Sequence, residues 1–432
     1  MLGQHRSRKG DPALLNFLGG MRDPAKVVAG MPALQALGLR ILGTWERFAR
    51  GHPGVAETAE AYGTQDCRID EKLVDGWRAE LKRLVGSRPR ARLALKSRWA
   101  YESPLGGADR GSPLGINVPI HCHGVFPAYD KEQEEEWQAD AISQLAAGTL
   151  SNYSSVRENQ EDARIEVDRI AKKGFVVKVT RREVEEHFSQ GTISKLALIV
   201  KDRPDGAKKR RLIIDLRRSG GNSKATLPEK LVLPRALDGV ETLRALHGLK
   251  SDVSGEEQRA RWAREMVLVD VSDAFPHLGV HPKELEHCLA PDVEKEDTFL
   301  LFRAMLFGYK TAPLLWSRVA AWTARVIQSC VPSEEGQHQV YLDDSFWCLQ
   351  GTLARRNLLL GFILYTMSAL GMEISARKGE RGDRVVWAGV EFRLTGLREL
   401  LLTLPEKFLT AVEEILRSWT KGVAPLPAGS KS

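Results

Sequence analysis

Two adjacent carboxylates, Asp343 and Asp344, stand where a short apolar run passes into Ser345-Phe346-Trp347. The pattern predicts a strand end or the start of a hairpin turn, and in a tight turn both side chains can lean toward one spot. Burying two unpaired carboxylates is costly unless cations or hydrogen-bond donors neutralise them. The pair therefore indicates either a solvated turn or a cation site, for which Mg²⁺ is the obvious candidate.

A third carboxylate lies upstream, at the end of another apolar run. Residues 266–269 read Met-Val-Leu-Val, which predicts a buried strand that delivers Asp270 at its end. Two buried strands ending in acidic residues could bring three carboxylates together. Two-metal phosphoryl transfer needs such a cluster, with the ions roughly 3.5 to 4 Å apart.

Three short segments follow one another along the chain: DVSDAF at 270–275, LFGYKTAP at 306–313 and YLDD at 341–344. They resemble the three palm motifs of the reverse transcriptases of retroelements, in the manner of a polymerase fragment from a long-terminal-repeat retrotransposon. Further matches are the fingers-like segment 211–217, a lysine at the place of the family's fourth motif, and a primer-grip-like hairpin at 387–390. The resemblance covers roughly residues 137–419.

The resemblance implies an α+β fold of the right-hand polymerase type. Its parts would be fingers, an antiparallel palm sheet with packed helices, a thumb that is truncated or absent, and a mainly helical N-terminal extension. The expected divisions are an extension of unknown function at 1–125 with a linker around 103–118, mostly fingers at 126–265, palm with some fingers elements at 266–404, and the start of a thumb or connection at 405–432. The reverse transcriptase domain as a whole would span about 137–404.

The acidic residues and one lysine receive catalytic roles from the resemblance. Asp270 and Asp343 would be the principal ligands of two Mg²⁺ ions, for which Mn²⁺ is a possible substitute. Asp344 would complete the metal-binding cluster and hold its geometry. Lys378 would protonate the leaving pyrophosphate, although an ordinary surface lysine is an equally open alternative.

A second set of residues is expected to bind the incoming deoxynucleotide. The backbone N–H groups of Asp273 and Ala274 would face triphosphate oxygens in a small anion-binding concavity. The ring of Phe275 would stand under the sugar, where its bulk clashes with a 2′-hydroxyl. Phe307 would stack, and Gly308 would let the backbone approach the nucleotide and template base because no Cβ intervenes.

A basic hairpin is predicted around the turn Pro204-Asp205-Gly206, between two apolar runs. By resemblance, Lys201 and Arg211 would close over the triphosphate, Arg with bidentate contacts and Lys with a point charge. Lys201 is preferred to Lys208 for this role. The alternative is a hairpin that only makes the surface soluble.

The C-terminal part contains two further expected elements. Trp387, Ala388 and Gly389 would form the primer grip, and Pro405 opens an amphipathic helix that would begin the thumb. Because the resemblance ends there, the chain is expected to be a fragment of a longer polyprotein or a decayed copy.

Composition sets broad limits. The chain has 432 residues, 43% of them hydrophobic, and a net charge of +7, which suits a polyanionic partner. It has no apolar run of about 18 residues and no apolar stretch like a secretory signal at its N-terminus, so no membrane partner and no secretion are expected. Five scattered cysteines favour a reducing compartment, and thus an intracellular location, cytoplasmic or nuclear.

Hydrophobic periodicity predicts helices at 32–50, 72–85, 132–147, 159–173 and 314–327. The first two have spacings that suit packing rather than chemistry. The third and fourth would form the outer layer of the fingers.

Together these features predict an RNA-directed DNA polymerase. It would extend a primer 3′-hydroxyl with dNTPs on an RNA or DNA template, in company with other segments of a polyprotein. One alternative is a catalytically inactive nucleic-acid-binding relic. The other is an RNA-dependent RNA polymerase, which the bulky Phe275 disfavours.

Overall fold

The computed structural model describes residues 24–86, 111–122, 126–129, 151–202, 206–246, 255–396 and 399–420. The predicted helix at 132–147, most of the predicted hairpin turn and the linker residues before Gly111 lie outside these ranges. Within them, no helix is long and apolar enough to cross a membrane.

Twelve α-helices occur in the described residues, and five of the six predicted helices are confirmed among them, including the one after Pro405. They are α1 Pro24–Gly51, α2 Gly54–Glu60, α3 Glu71–Gly86, α4 Ser154–Glu158, α5 Gln160–Lys172, α6 Arg181–His187, α7 Gly221–Lys224, α8 Ala236–Ala245, α9 Glu256–Trp262, α10 Ala312–Gln328, α11 Leu353–Ala369 and α12 Glu406–Thr420. Three short 3₁₀ helices cover Phe275–His277, Pro282–His287 and Ala376–Lys378.

The described residues also contain twelve strands. They are β1 Val176–Thr180, β2 Lys195–Asp202, β3 Lys208–Asp215, β4 Arg264–Asp270, β5 Leu289–Pro291, β6 Thr298–Phe302, β7 Gly336–Tyr341, β8 Asp344–Gln350, β9 Glu380–Gly382, β10 Arg384–Trp387, β11 Val390–Leu394 and β12 Leu400–Thr403.

These strands form four sheets in which every strand pair is antiparallel. The largest has the order β7-β8-β4-β9, and the others have the orders β1-β6-β5, β10-β11-β12 and β2-β3. The predicted α+β class with antiparallel sheets is therefore confirmed, as is the basic hairpin. The division of these elements into fingers and palm stays a prediction.

Helix α11 lies at the centre of the main hydrophobic core. A helix that is apolar on all sides must be covered on all sides, and Leu359, Leu360, Phe362, Ile363 and Leu364 are all buried. Strand β8 contacts one side of α11, whereas α2 and α3 from the N-terminal region cover another. The sheet that carries the acidic residues thus rests on a helix that is itself supported from behind.

The N-terminal region shares this core. Trp45 and Trp77 are completely buried, with ring centroids 4.9 Å apart in an edge-to-face arrangement. The indole N–H of Trp45 donates to the carbonyl of Leu358 at 2.9 Å, and that of Trp77 donates to Thr366 Oγ1 at 3.1 Å. Buried indole N–H groups need such partners. The two hydrogen bonds therefore fix both tryptophans against α11. The domain boundary near residue 125 stays a prediction.

A buried carboxylate fastens the described part of the predicted linker. Glu284 is completely buried and accepts hydrogen bonds from the backbone N–H groups of Leu114, Ile116, Asn117 and Val118, at 2.9 to 3.3 Å. A buried carboxylate requires such donors. This segment is therefore docked on the body of the protein.

Candidate active site at the β4–β8 edge

Strand β4 delivers Asp270 to the edge of the central sheet. Met266, Val267 and Val269 are completely buried, so both faces of the strand pack against apolar layers and fix its position. The register places Asp270 directly opposite Asp344, the first residue of β8. Directly opposed residues of an antiparallel pair project from the same face. The predicted convergence of these two carboxylates is thus produced by strand pairing.

The third carboxylate, Asp343, sits in the two-residue turn between β7 and β8. Tyr341 pairs with Asp344, which leaves Leu342 and Asp343 as the loop. Leu342 has a φ of 55°, the left-handed region that a two-residue hairpin turn requires at its first position. The indole N–H of Trp316 donates to its carbonyl at 3.1 Å. This bond holds a backbone conformation that is unfavourable for leucine.

The acidic residues affect one another electrostatically. Burial, and then the charge of Asp270, raises the pKa of Asp343. Burial, followed by the charges of Asp343 and Asp270, raises the pKa of Asp344 to about 6. Both shifts mean that the fold disfavours full ionisation. A cation placed among these carboxylates would relieve that cost.

One cationic side chain already contacts the cluster. Lys378 donates from Nζ to Asp270 Oδ2 at 3.0 Å and to Ser375 Oγ at 3.3 Å. It belongs to the 3₁₀ helix Ala376–Lys378, whose position is tied to β4 because Ser375 N donates to the carbonyl of Asp270 at 2.9 Å. The structure therefore brings the predicted Lys378 to the site.

The fit of a metal can be judged from the donor set. Among the described residues, no group of three or more His, Cys, Asp or Glu side chains is arranged to hold a metal ion. Mg²⁺, however, is commonly held by only one or two protein carboxylates together with substrate phosphates. Asp270 and Asp343 provide hard oxygen donors at one place, and the pKa of Asp343 is raised by burial and then by the charge of Asp270, both of which a cation would offset. The residues fit an open magnesium site, and a three-carboxylate ligand set stays a prediction.

The turn after β4 contains Asp273 and Ala274. Asp273 has a φ of 49°, and its carboxylate accepts from Arg169 Nη1 at 2.7 Å and from Lys173 Nζ at 2.8 Å. Burial opposes ionisation of Asp273, but the hydrogen bonds from Arg169 and Lys173 outweigh it and lower its pKa. Two cations near α5 thus hold this turn in its left-handed conformation, and neither was recognised from the sequence.

Phe275, Phe307 and Arg211 form a contiguous group. The rings of Phe275 and Phe307 meet edge to face with centroids 5.1 Å apart, and the guanidinium of Arg211 lies 5.2 Å from the Phe307 ring centre. Phe307 remains 40% exposed. The structure therefore brings together three residues that were assigned to nucleotide binding, with one aromatic face open to solvent.

A close contact with β3 requires a glycine at position 308. Gly308 has a φ of 119°, and a Cβ there would overlap the carbonyl oxygen of Ile214 in β3. Ile214 N donates to the carbonyl of Phe307 at 3.0 Å. Asn222 accepts from Lys310 N and donates to the Gly308 carbonyl. The close backbone approach that this glycine allows is therefore to β3.

The β2–β3 hairpin separates its basic residues between two faces. Lys208 and Arg210 bind Asp162 on α5, at 2.8 and 2.7 Å. Lys209 and Arg211 lie on the opposite face, and both act electrostatically on Asp343. Lys201 pairs with Lys209 in the register and shares its face. Lys201 thus lies on the face of Lys209 and Arg211, whereas Lys208 lies on the other, and the nucleotide-binding role of Lys201 stays a prediction.

The predicted primer-grip residues form the turn of the β10–β11 hairpin. Ala388 and Gly389 both have positive φ values, 48° and 78°. Trp387 is buried, stacks on Phe346 with centroids 5.0 Å apart, and donates from Nε1 to the carbonyl of Asp344 at 3.4 Å. This hairpin is therefore attached to the acidic strand, and its primer-binding role stays a prediction.

Similarity to known proteins is found among solved structures and not among family models or curated sequences. No protein-family model and no curated protein matches the chain. Similar solved structures include foamy viral protease-reverse transcriptase in complex with an RNA/DNA hybrid, with TM-score 0.40, 14% identity and coverage of 79% of this chain and 37% of that one. The same protein in complex with dsDNA gives TM-score 0.40 and 14% identity over 83% of this chain and 64% of that one. This chain thus spans less than two thirds of the length of either.

Proposed function

We propose that this chain is an RNA-directed DNA polymerase that extends a primer 3′-hydroxyl with dNTPs on an RNA or DNA template. The observation that carries the proposal is the pairing of Asp270 with Asp344 across β4 and β8, with Asp343 in the adjoining turn. Arg211 lies within electrostatic range of Asp343. Clustered carboxylates beside an arginine are suited to a metal–triphosphate complex.

Asp270 and Asp343 would hold Mg²⁺, with Asp344 keeping the negative charge of the cluster high. When bound, Mg²⁺ would stabilise charge on the α-phosphate and lower the pKa of the attacking hydroxyl. The reaction is attack of the primer 3′-oxygen on the α-phosphorus with loss of pyrophosphate. Lys378 carries a proton on Nζ close to this site and could give it to the leaving pyrophosphate.

The remaining residues would position the nucleotide. Arg211 offers a planar guanidinium suited to bidentate phosphate contacts. Phe275 and Phe307 would bound the sugar, and the bulk of Phe275 would exclude a 2′-hydroxyl. The turn at Asp273 would direct backbone N–H groups toward phosphate oxygens.

The proposed nucleic-acid partner is a primer annealed to its template. A net charge of +7 supports binding to a polyanion. Origin in a retrotransposon-type polyprotein, with other polyprotein segments as partners, is part of the same proposal.

Primer extension on an RNA template with dNTPs and Mg²⁺ tests the function. The full chain should extend the primer, and Asp270→Asn should not. A matched control is Asp297→Asn, because Asp297 is exposed in a loop before β6, pairs with Arg181 and has a positive φ that asparagine tolerates. The control should extend like the unmodified chain.

The alternatives give different outcomes in the same experiment. A relic would bind the labelled primer–template but add no nucleotide under any metal condition. An RNA-dependent RNA polymerase would prefer ribonucleotides. Either result would overturn the proposal.

A further inference from the structure

Lys378 occupies a position that a metal ion at Asp270 would contest. Its ammonium group lies 3.0 Å from Asp270 Oδ2. An ammonium group and a divalent cation that share one carboxylate oxygen repel each other strongly, because the two positive charges lie only a few ångströms apart. Binding of a divalent cation to this oxygen therefore favours withdrawal of Lys378.

We propose that Lys378 is a built-in counter-ion of the acidic site, which is displaced from Asp270 when a divalent cation binds. The inference rests on the proposed function and adds a step to it. Before metal binding, Lys378 offsets part of the repulsion among Asp270, Asp343 and Asp344. After displacement, its ammonium group becomes available to another anion, such as a triphosphate.

The exposure of the ion pair allows such an exchange. The Lys378 side chain is 49% exposed and that of Asp270 is 24% exposed. Ion pairs that reach solvent contribute little to stability, because water screens them and two flexible side chains must be held. A divalent cation can therefore compete for Asp270 at low cost, whereas a buried lysine would resist.

The backbone around Lys378 is fixed, so displacement is a movement of the side chain. Both the backbone and the side chain of Ser375 are hydrogen-bonded. Its N–H donates to the Asp270 carbonyl, and its hydroxyl shares a hydrogen bond with Ser272. Ala376 accepts from Gly63 N at 3.1 Å. The flexible four-carbon stem of lysine allows the ammonium group to move while this backbone stays in place.

Ser375 is a positioning residue in this arrangement. Its Oγ lies 3.3 Å from Lys378 Nζ and provides the second acceptor that directs the ammonium group toward Asp270. Removing this hydroxyl changes no charge. A change in metal affinity on removal of this hydroxyl would therefore come from the lost contact with Lys378 and not from a change in charge.

Binding of Mn²⁺ to the full chain, measured by electron paramagnetic resonance in the absence of nucleotide, tests the inference. Lys378→Gln should tighten Mn²⁺ binding about two- to fivefold, the range expected for loss of one solvent-exposed competing cation. Ser375→Ala should tighten it by a smaller factor. The matched control is Arg377→Gln, since Arg377 is adjacent in sequence but acts on Cys67, and it should leave the affinity unchanged.

A second measurement follows Lys378 directly. In protein labelled with ¹³C at lysine Cε, the resonance that is missing from Lys378→Gln should shift as Mg²⁺ is added. If Lys378→Gln and Arg377→Gln increased the affinity for Mn²⁺ equally, the inference about Lys378 would be wrong. It would also be wrong if this resonance did not shift although Mn²⁺ binds. Neither result would affect the proposed function. Absence of Mn²⁺ binding in every variant, both with and without dNTP, would overturn both.

Discussion

Asp344 lies directly opposite Asp270 across the β4–β8 pair, so the register of one strand pair decides whether the acidic cluster exists. A shift of one residue would move every side chain of β8 to the other face. The completely buried Phe346, Trp347 and Cys348 that follow in β8 oppose such a shift. Packing of β8 thus maintains the register that places Asp344 opposite Asp270.

Asp343→Asn should abolish primer extension while leaving primer–template binding nearly intact. The substitution keeps the shape of the turn but removes a charged metal ligand, whereas affinity for nucleic acid comes from phosphate contacts elsewhere. Extension assays and fluorescence anisotropy on the same preparation measure the two effects. If this variant extended the primer as well as the unmodified chain does, Asp343 would not be a catalytic residue.

Asp344→Asn should stabilise the fold at neutral pH. The pKa of Asp344 is about 6 in the fold against an ordinary value of 3.8. Below the ordinary value both states are protonated and no cost exists. As pH rises between the two values, the unfolded chain ionises first and the fold loses relative stability.

Because Asp344 remains in contact with solvent, water screens part of this cost, and a gain on the order of 1 kcal/mol is expected. Thermal melts should show a larger rise in Tm at about pH 7.5 than at about pH 5. Asp297→Asn, which removes an exposed carboxylate that pairs with Arg181, is the control for the loss of one negative charge. A gain that is independent of pH would mean that Asp344 ionises normally in the fold.

Phe275→Val should raise incorporation of ribonucleotides relative to deoxynucleotides. The smaller side chain opens space beside the Phe307 ring, 5.1 Å away between centroids, and a 2′-hydroxyl could occupy it. The ratio of kcat/KM for matched rNTP and dNTP should rise about tenfold or more, the scale of a lost steric contact. Phe275→Tyr keeps the ring and should leave the ratio unchanged. An unchanged ratio in Phe275→Val would show that Phe275 only packs.

The parts of the site that the sequence predicts are those built from local pattern. The apolar run before Asp270 requires a buried strand, and the acidic pair after the run at Val340 indicates a turn, because both follow from side-chain periodicity. The support of Leu342 by Trp316 was not predictable, since it joins residues 26 positions apart by a single indole hydrogen bond. For the same reason, no local signal identified Arg169 as the partner of Asp273, 104 positions away.

Strand alternation assigns the basic residues of β3 to two faces. Lys209 and Arg211 are two residues apart in β3, so they must share a face, and Lys208 and Arg210 must share the other. The sequence cannot say which face meets the acidic site. Asp162 binds Lys208 and Arg210, so the face with Lys209 and Arg211 is the one that is turned toward the acidic site.

Arg211→Ala should raise the KM for dNTP, with little change in duplex affinity. Loss of charge-assisted phosphate bonds, each worth about 1.5 to 3 kcal/mol, corresponds to roughly 10-fold to 150-fold. The matched control is Lys208→Ala, which removes a cation from the same strand but from the face that binds Asp162. Steady-state kinetics on one primer–template measure both. Equal effects of the two substitutions would contradict the assignment of faces.

The N-terminal region should be required for the acidic site, through the contact between Tyr62 and Gly379. Tyr62 is buried, and its hydroxyl donates to the carbonyl of Leu268 in β4 at 2.8 Å, two residues before Asp270. A Cβ on Gly379, the residue after Lys378, would overlap the Tyr62 ring. One aromatic side chain thus supports both the strand that carries Asp270 and the segment that carries Lys378.

Gly379→Ala should therefore lower Tm and slow primer extension, because a well-packed contact has no room for an added methyl group. Gly396→Ala is the matched control, since a Cβ there meets nothing within 4 Å. In a Tyr62→Leu background, Gly379→Ala should cost less than it does alone, which a double-mutant cycle on Tm would measure. Additive effects of the two substitutions would show that Tyr62 and Gly379 are not coupled, which would contradict the proposed link between the N-terminal region and the Lys378 segment.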